Sequence, residues 1–142
     1  MSTKQGETEL SRLLADLAPR LLAEKYVFYS LPHGSYGDGA ELAPVASFQE
    51  EEGLTLVVPE RCAKEAHIAY SSVFCCITLT VHSSLTGVGL TAAVSTKLAR
   101  RGISVNVVAA MYHDHLFVPA DQAGRALAAL AAVSGPQASR RI

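Results

Sequence analysis

The residues best placed to do chemistry are His82-Ser83-Ser84-Leu85-Thr86-Gly87-Val88-Gly89, which end one apolar strand and open a helix. Unpaired backbone N–H groups at a helix start carry about +0.5 of an elementary charge and suit a carboxylate or phosphate. Gly87 and Gly89 would let a ligand approach bare backbone, and Ser83, Ser84 and Thr86 add hydroxyls. Asn106, on the next strand, could accept an ammonium through its amide oxygen. The plainer reading is that these hydroxyls only cap the helix and the glycines only make the turn.

Other constellations carry a functional and a plain reading in the same way. Gly87-Val88-Gly89-Leu90-Thr91-Ala92 fits G-x-G-x-x-A, with Asp114 downstream where a ribose-binding acid would stand. A dinucleotide fold, however, needs a parallel third strand reached through a second helix. The polar turn expected at His113-Asp114-His115 makes an antiparallel hairpin instead, so the match is read as accidental. His113 and His115, with His82, invite zinc or nickel. A turn in which Asp114 bonds neighbouring backbone is the favoured reading, and no metal is expected. His33 and His67 read as surface or cap-like. Glu50-Glu51-Glu52 reads as a solvated turn, and Tyr36 as a lid over a ligand or part of a mobile loop. No nucleophile elbow, phosphate loop or H-E-x-x-H helix is present, so the sequence points away from an enzyme.

The elements that must position these residues can be read from periodicity. Leu10, Leu13, Leu14 and Leu17 form an apolar helical stripe ending at Pro19. Lys25–Leu31 is aromatic and β-rich, and Pro32–Pro44 is a glycine-rich loop. Val45–Glu51 and Leu54–Val58 flank a hairpin turn at Glu52-Gly53. A short helix over Glu60–Ala69 follows, then a strand over Val73–Val81 apolar enough to be buried on both faces. Leu90, Val94 and Leu98 share one helical face, Arg100-Arg101 sit in its last turn, and Gly102 stands where a terminating glycine belongs. Ile103–Tyr112 and Leu116–Val118 are strands, with Pro119 closing the second. Asp121 is placed to cap a final helix carrying Ala123, Leu127 and Leu130. Both halves hold helices and paired strands in similar order without an obvious sequence repeat. Two βαββαβ-like units side by side are therefore expected.

Composition bounds the function classes. With 142 residues, 49% of them apolar, the chain can bury a core, but each half alone would be marginal. A net charge of −1 gives no electrostatic footprint for nucleic acid. No apolar run is long enough to cross a bilayer, and the polar start lacks a signal-peptide core, so no membrane association and a cytoplasmic location are expected. The three cysteines, Cys62, Cys75 and Cys76, lack C-x-x-C spacing and read as small apolar filler.

The ordered string ITLTVHSSLTGVGLTAAVSTKLARRGISVNVVAAMYHDHLFVP (Ile77–Pro119), with EEEGLTLVV upstream, resembles small bacterial proteins made of two tandem ACT-like halves. More distantly it is similar to the regulatory ACT domains of aspartate kinases. The resemblance implies an α+β, ferredoxin-like (βαββαβ) ACT-type fold in two units, residues 1–72 and 73–142, with antiparallel sheets and helices on one face. It further implies a free amino acid bound at an interface, without a cofactor, by Ser83, Ser84, Leu85, Thr86, Gly87, Val88, Gly89, Asn106 and Val107. The expectation is a non-catalytic regulatory or sensor protein, with a homodimer completing the site and covering strand edges. The alternative is a ligand-independent interaction module.

Overall fold

The computed structural model describes residues 17–80 and 89–133. The chain divides into two compact units, Ala23–Cys75 and the flanking Met1–Leu22 with Cys76–Ile142. Two strands, β1 (Pro19–Pro32) and β4 (Phe74–Leu79), run from one unit into the other. The order is β1, a 3-10 turn (Ala40–Leu42), β2 (Ala46–Glu50), β3 (Gly53–Pro59), α1 (Glu60–Glu65), β4, α2 (Leu90–Arg100), β5 (Asn106–Ala109), β6 (Asp114–Pro119), a second 3-10 turn (Ala120–Gln122) and α3 (Ala123–Val133).

In the Ala23–Cys75 unit the strands lie in the order β2-β3-β1 and pair antiparallel. Alternation puts Val27, Tyr29 and Leu31 of β1 opposite Val58, Leu56 and Leu54 of β3. Together with Leu42 and Ala63 these residues build the core of the unit. The β2–β3 turn is Glu51-Glu52, one residue earlier than the Glu52-Gly53 the sequence suggests, because Gly53 already pairs with Glu50 and Pro32. Gly53 has φ +145°, and a Cβ there would lie 2.5 Å from the Leu31 carbonyl oxygen, so only glycine lets β3 enter beside β1.

α1 ends at Glu65, short of the expected Ala69. His67 takes the left-handed conformation (φ +57°) that glycine usually supplies after a helix. Its N–H bonds the Lys64 carbonyl at 3.1 Å, and the Ile68 N–H bonds that of Ala63 at 2.9 Å. These are the paired bonds of a Schellman stop, so His67 has a capping role.

The other unit follows the sequence reading more closely. β4 is buried from Cys75 to Leu79, and adjacent Cys75 and Cys76 are both core filler. Leu90, Val94 and Leu98 are the buried face of α2. At its end Gly102 (φ +72°) bonds Ala99 and Ile103 bonds Leu98, a second Schellman stop. α2 packs on α3, whose buried face is Ala123, Ala126, Ala129 and Leu130, with Leu127 half-buried. Asp121 lies in the 3-10 turn that runs into α3 at Ala123. In this unit β4, β6 and β5 lie in that order. β5 is shorter than expected and β6 longer, because the hairpin turns at Met111-Tyr112, inside the closing bond from Ala110 N–H to the His113 carbonyl (3.0 Å). His113-Asp114-His115 is thus the entry to β6, not the turn. Of the N-terminal helical stripe, only buried Leu17 falls within the described residues.

Candidate functional site

In the Ala23–Cys75 unit a polar, glycine-containing loop joins β1 to the 3-10 turn, and in the other a polar, glycine-containing stretch of sequence separates β4 from α2. In the second, β4 leads through residues 81–88 to α2. His82 and the expected ligand residues Ser83, Ser84, Leu85, Thr86, Gly87 and Val88 lie outside the described residues. Gly89, the last of the loop, is described. It is the N-cap of α2 in a left-handed conformation (φ 103°, ψ −29°), with its carbonyl accepting the first helical bond from Ala93 at 2.9 Å. A residue with a Cβ would be strained there. Asn106 opens β5 opposite Phe117 and is exposed; Val107 pairs with Leu116 and is half-buried. Gly89 and Asn106 flank opposite ends of an 11-residue helix, about 16 Å long.

The first unit has the equivalent loop between β1 and the 3-10 turn. Gly37-Asp38-Gly39 precedes Ala40 there as Gly87-Val88-Gly89 precedes Leu90, and His33 and His82 stand at the two loop starts. Gly39, like Gly89, is a left-handed N-cap (φ 80°, ψ 11°). The correspondence escapes a sequence reading because the connections differ in length (residues 33–39 against 80–89) and the first helical element is only three residues long.

This first loop is ordered by its own bonds. The Ser35 N–H donates to Asp38 Oδ2 at 2.9 Å, the Asp38 N–H returns to the Ser35 carbonyl at 2.9 Å, and Gln49 Nε2 donates to the Gly34 carbonyl at 3.0 Å. Leu42, carried by the 3-10 turn, plugs the core. Between loop and sheet is an open cleft of about 430 Å³ lined by Tyr36, Asp38, Val45, Ser47, Leu54 and Leu56 among others. Tyr36 is 90% exposed, so it does not close over the cleft. Glu50 accepts a hydrogen bond from the Thr55 hydroxyl, and Glu51-Glu52 form the exposed turn.

Within the histidine cluster, His115 Nδ1 lies 2.9 Å from Thr78 Oγ1 of neighbouring β4, and both residues are at least half-buried. Burial pushes the His115 pKa below its usual value, and repulsion from His113 adds to this, while Asp114 opposes it. Among the described residues no three His, Cys, Asp or Glu side chains come close enough to share a metal, and His82 lies outside them. No described helix is long and apolar enough to cross a membrane.

Two ACT-domain family models match the chain, one over residues 5–78 and one over residues 71–132. The chain belongs to the ACT-domain family. It carries two tandem ACT domains, a class commonly met as amino-acid-binding regulatory modules. A Vibrio cholerae protein of unknown function, described as a possible transport protein, is 48% identical over 88% of this chain and 95% of its own, with a TM-score of 0.79. An Agrobacterium tumefaciens protein shares the fold at 18% identity (82% of this chain, 87% of that one, TM-score 0.64). The ligand-free regulatory subunit of aspartate kinase from Thermus thermophilus does so at 12% identity (83% and 97%, TM-score 0.59). Among curated proteins nothing matches.

Proposed function

We propose that this ACT protein is a non-catalytic, cytoplasmic regulatory protein that binds a small free amino acid. The ligand's carboxylate would meet the loop Ser83–Gly89, and its ammonium the amide of Asn106 beside Val107. The observation that carries this reading is Gly89, a left-handed N-cap with no side chain of its own to cap the first helical N–H groups of α2. Gly89 and Asn106 flank opposite ends of α2, so a ligand of some ten heavy atoms touching both is best accommodated between two copies. A homodimer is therefore part of the proposal, as are two units divided near residues 72 and 73. The reading takes neither metal nor cofactor.

Affinity for such a ligand should lie at about −5 to −8 kcal/mol, in the millimolar-to-micromolar range that suits sensing of a metabolite pool. Gly87→Val and Ser84→Asp test it: the first removes the bare backbone, the second brings a like charge to the ligand carboxylate. Isothermal titration of both variants, folded by circular dichroism, should show binding lost. Unchanged affinity in both would remove this loop from the reading. Exposed Phe48 and Met111 (72% and 69% accessible) favour a second reading, a ligand-independent interaction module. A stable dimer indifferent to every amino acid would be its signature.

A further inference from the structure

The chain's net charge of −1 conceals a division between its two units. The Ala23–Cys75 unit carries eight carboxylates against three cations, a net −5. The described residues of the other unit carry five cations against two carboxylates, a net +3, and one of those two, Asp114, is buried. Four of the cations meet at one end of the helix pair. Lys97, Arg100 and Arg101 fall within the last turn of α2 and its cap, and Arg125 reaches over from α3 to donate through Nη2 to the Arg101 carbonyl. The macrodipole accounts for cations where α2 ends, but it disfavours Arg125, the third residue of α3, whose first turn has no acid in it. Asp121, four residues before Arg125, does not pair with it. The ion pairs among the described residues are Arg61–Glu24 and Lys64–Glu60, both in the acidic unit. Four cations held together against their own repulsion, with Arg100, Arg101 and Arg125 exposed, make a surface that favours an anionic partner.

The acidic unit supplies a matching group. Glu51 and Glu52 are the exposed turn between β2 and β3, so both carboxylates stand at the tip of a hairpin. Among the described residues neither enters an ion pair, whereas Glu24 and Glu60 are held by Arg61 and Lys64, and Glu50 by the Thr55 hydroxyl. We infer that the Glu51-Glu52 tip of one copy docks on the Lys97-Arg100-Arg101-Arg125 patch of a second copy. An extended polyanion, a nucleic acid or an anionic bilayer, would also confront the unit of net charge −5 and be repelled by it, whereas a second copy brings a compact pair of carboxylates. Tip and patch are different surfaces, so the contact is heterologous. Repeated about a two-fold axis it closes a dimer with two identical contacts; otherwise it continues into a longer assembly. Exposed ion pairs are individually weak and screened by salt, so the association is modest and belongs to low ionic strength. The contact needs no amino acid, and its loss would leave binding at the loop before α2 untouched.

The test is sedimentation equilibrium of the full-length protein, without ligand, in wild-type and charge-reversed forms. Glu51→Lys/Glu52→Lys makes tip and patch both cationic, and Arg100→Glu/Arg101→Glu/Arg125→Glu makes both acidic, all at exposed positions. The wild type should associate at about 20 mM NaCl and lose at least about tenfold in affinity at about 500 mM. Each reversed variant alone should lose at least about tenfold at low salt, because every tip then faces a patch of its own sign. An equimolar mixture of the two should recover association, because each tip then finds a patch of opposite sign. The milder Lys97→Gln/Arg100→Gln reverses no charge and covers the case in which the triple variant does not fold by circular dichroism. It should weaken wild-type association at least about threefold. A wild type that stays monomeric at low salt, a variant that associates as the wild type does, or a mixture of folded variants that gains nothing would each overturn the inference.

Discussion

Replacing Gly39 by alanine isolates what the first loop demands of its backbone. Gly39 has φ +80°, and an added Cβ would lie 2.5 Å from Leu56 Cδ1, a side chain only 1% exposed in the core. The left-handed conformation costs a non-glycine residue about 1–2 kcal/mol, and forcing an extra methyl into packed core costs about 1–3 kcal/mol more. Alanine also lowers the entropy of the unfolded chain, which returns about 0.4–1 kcal/mol. The net loss should be about 2–4 kcal/mol. Gly37 is the control: φ is +99° but nothing lies within 4 Å of its Cβ position, so Gly37→Ala should cost only about 1 kcal/mol. Urea unfolding at constant slope measures both. Leu56→Val, made in the wild type and in the Gly39→Ala variant, completes a cycle. Trimming the δ-methyl should cost less in the alanine variant than in the wild type, a coupling of about 1 kcal/mol or more. Equal losses for the two glycine variants, or an additive cycle, would show that the Leu56 contact is not what requires glycine at this position.

Three further outcomes follow from the structure. At Gly53 the neighbour of an added Cβ is backbone, the Leu31 carbonyl oxygen at 2.5 Å, and cannot move aside. Gly53→Ala should therefore cost about 3 kcal/mol or more in urea unfolding, through disruption of the β1–β3 ladder. Ala43 is exposed and left-handed (φ +54°), so Ala43→Gly should raise stability by about 0.5–1 kcal/mol, read from the same midpoints. The folded pKa of His115 lies below its unfolded value, so below about pH 6.5 the unfolded chain binds the proton first. Stability should then fall as the pH is lowered from 7.5 toward the folded pKa, and His115→Gln should remove that part of the slope. A wild-type slope retained in the variant would assign the pH dependence elsewhere.

Much of the second unit was legible because its signals are local. The Leu90-Val94-Leu98 stripe, the arginines in the last turn and Gly102 fix α2 and its stop within a dozen residues. Hairpin positions were legible only to within a few residues. The turns fell at Glu51-Glu52 and Met111-Tyr112 because cross-strand register, not turn composition, places them. β1 reaches back to Pro19, six residues before the aromatic run that announced it. Arg20-Leu21-Leu22-Ala23-Glu24 has no strand propensity of its own, and pairing with neighbouring strands decides its conformation. His67 read as surface or cap-like, and the structure gives it the cap, at a position that is usually glycine. The first-unit loop read as loose chain, since a three-residue 3-10 turn has no periodicity and the bond from Ser35 to Asp38 leaves no pattern in sequence. Its kinship with the loop before α2 became visible only once both glycines stood as left-handed N-caps.

Binding of a free amino acid by the loop before α2 is best tested by a thermal-shift panel of the twenty amino acids. The panel uses the full-length protein, with zinc, EDTA and NAD wells beside the amino acids. A ligand at 100-fold over its Kd should stabilise by about 2.7 kcal/mol, a shift of several degrees for a chain this size. A selective shift with one amino acid or a few close analogues, lost in Gly87→Val, is expected. A flat amino-acid panel, or a shift that survives in that variant, would contradict binding at this loop.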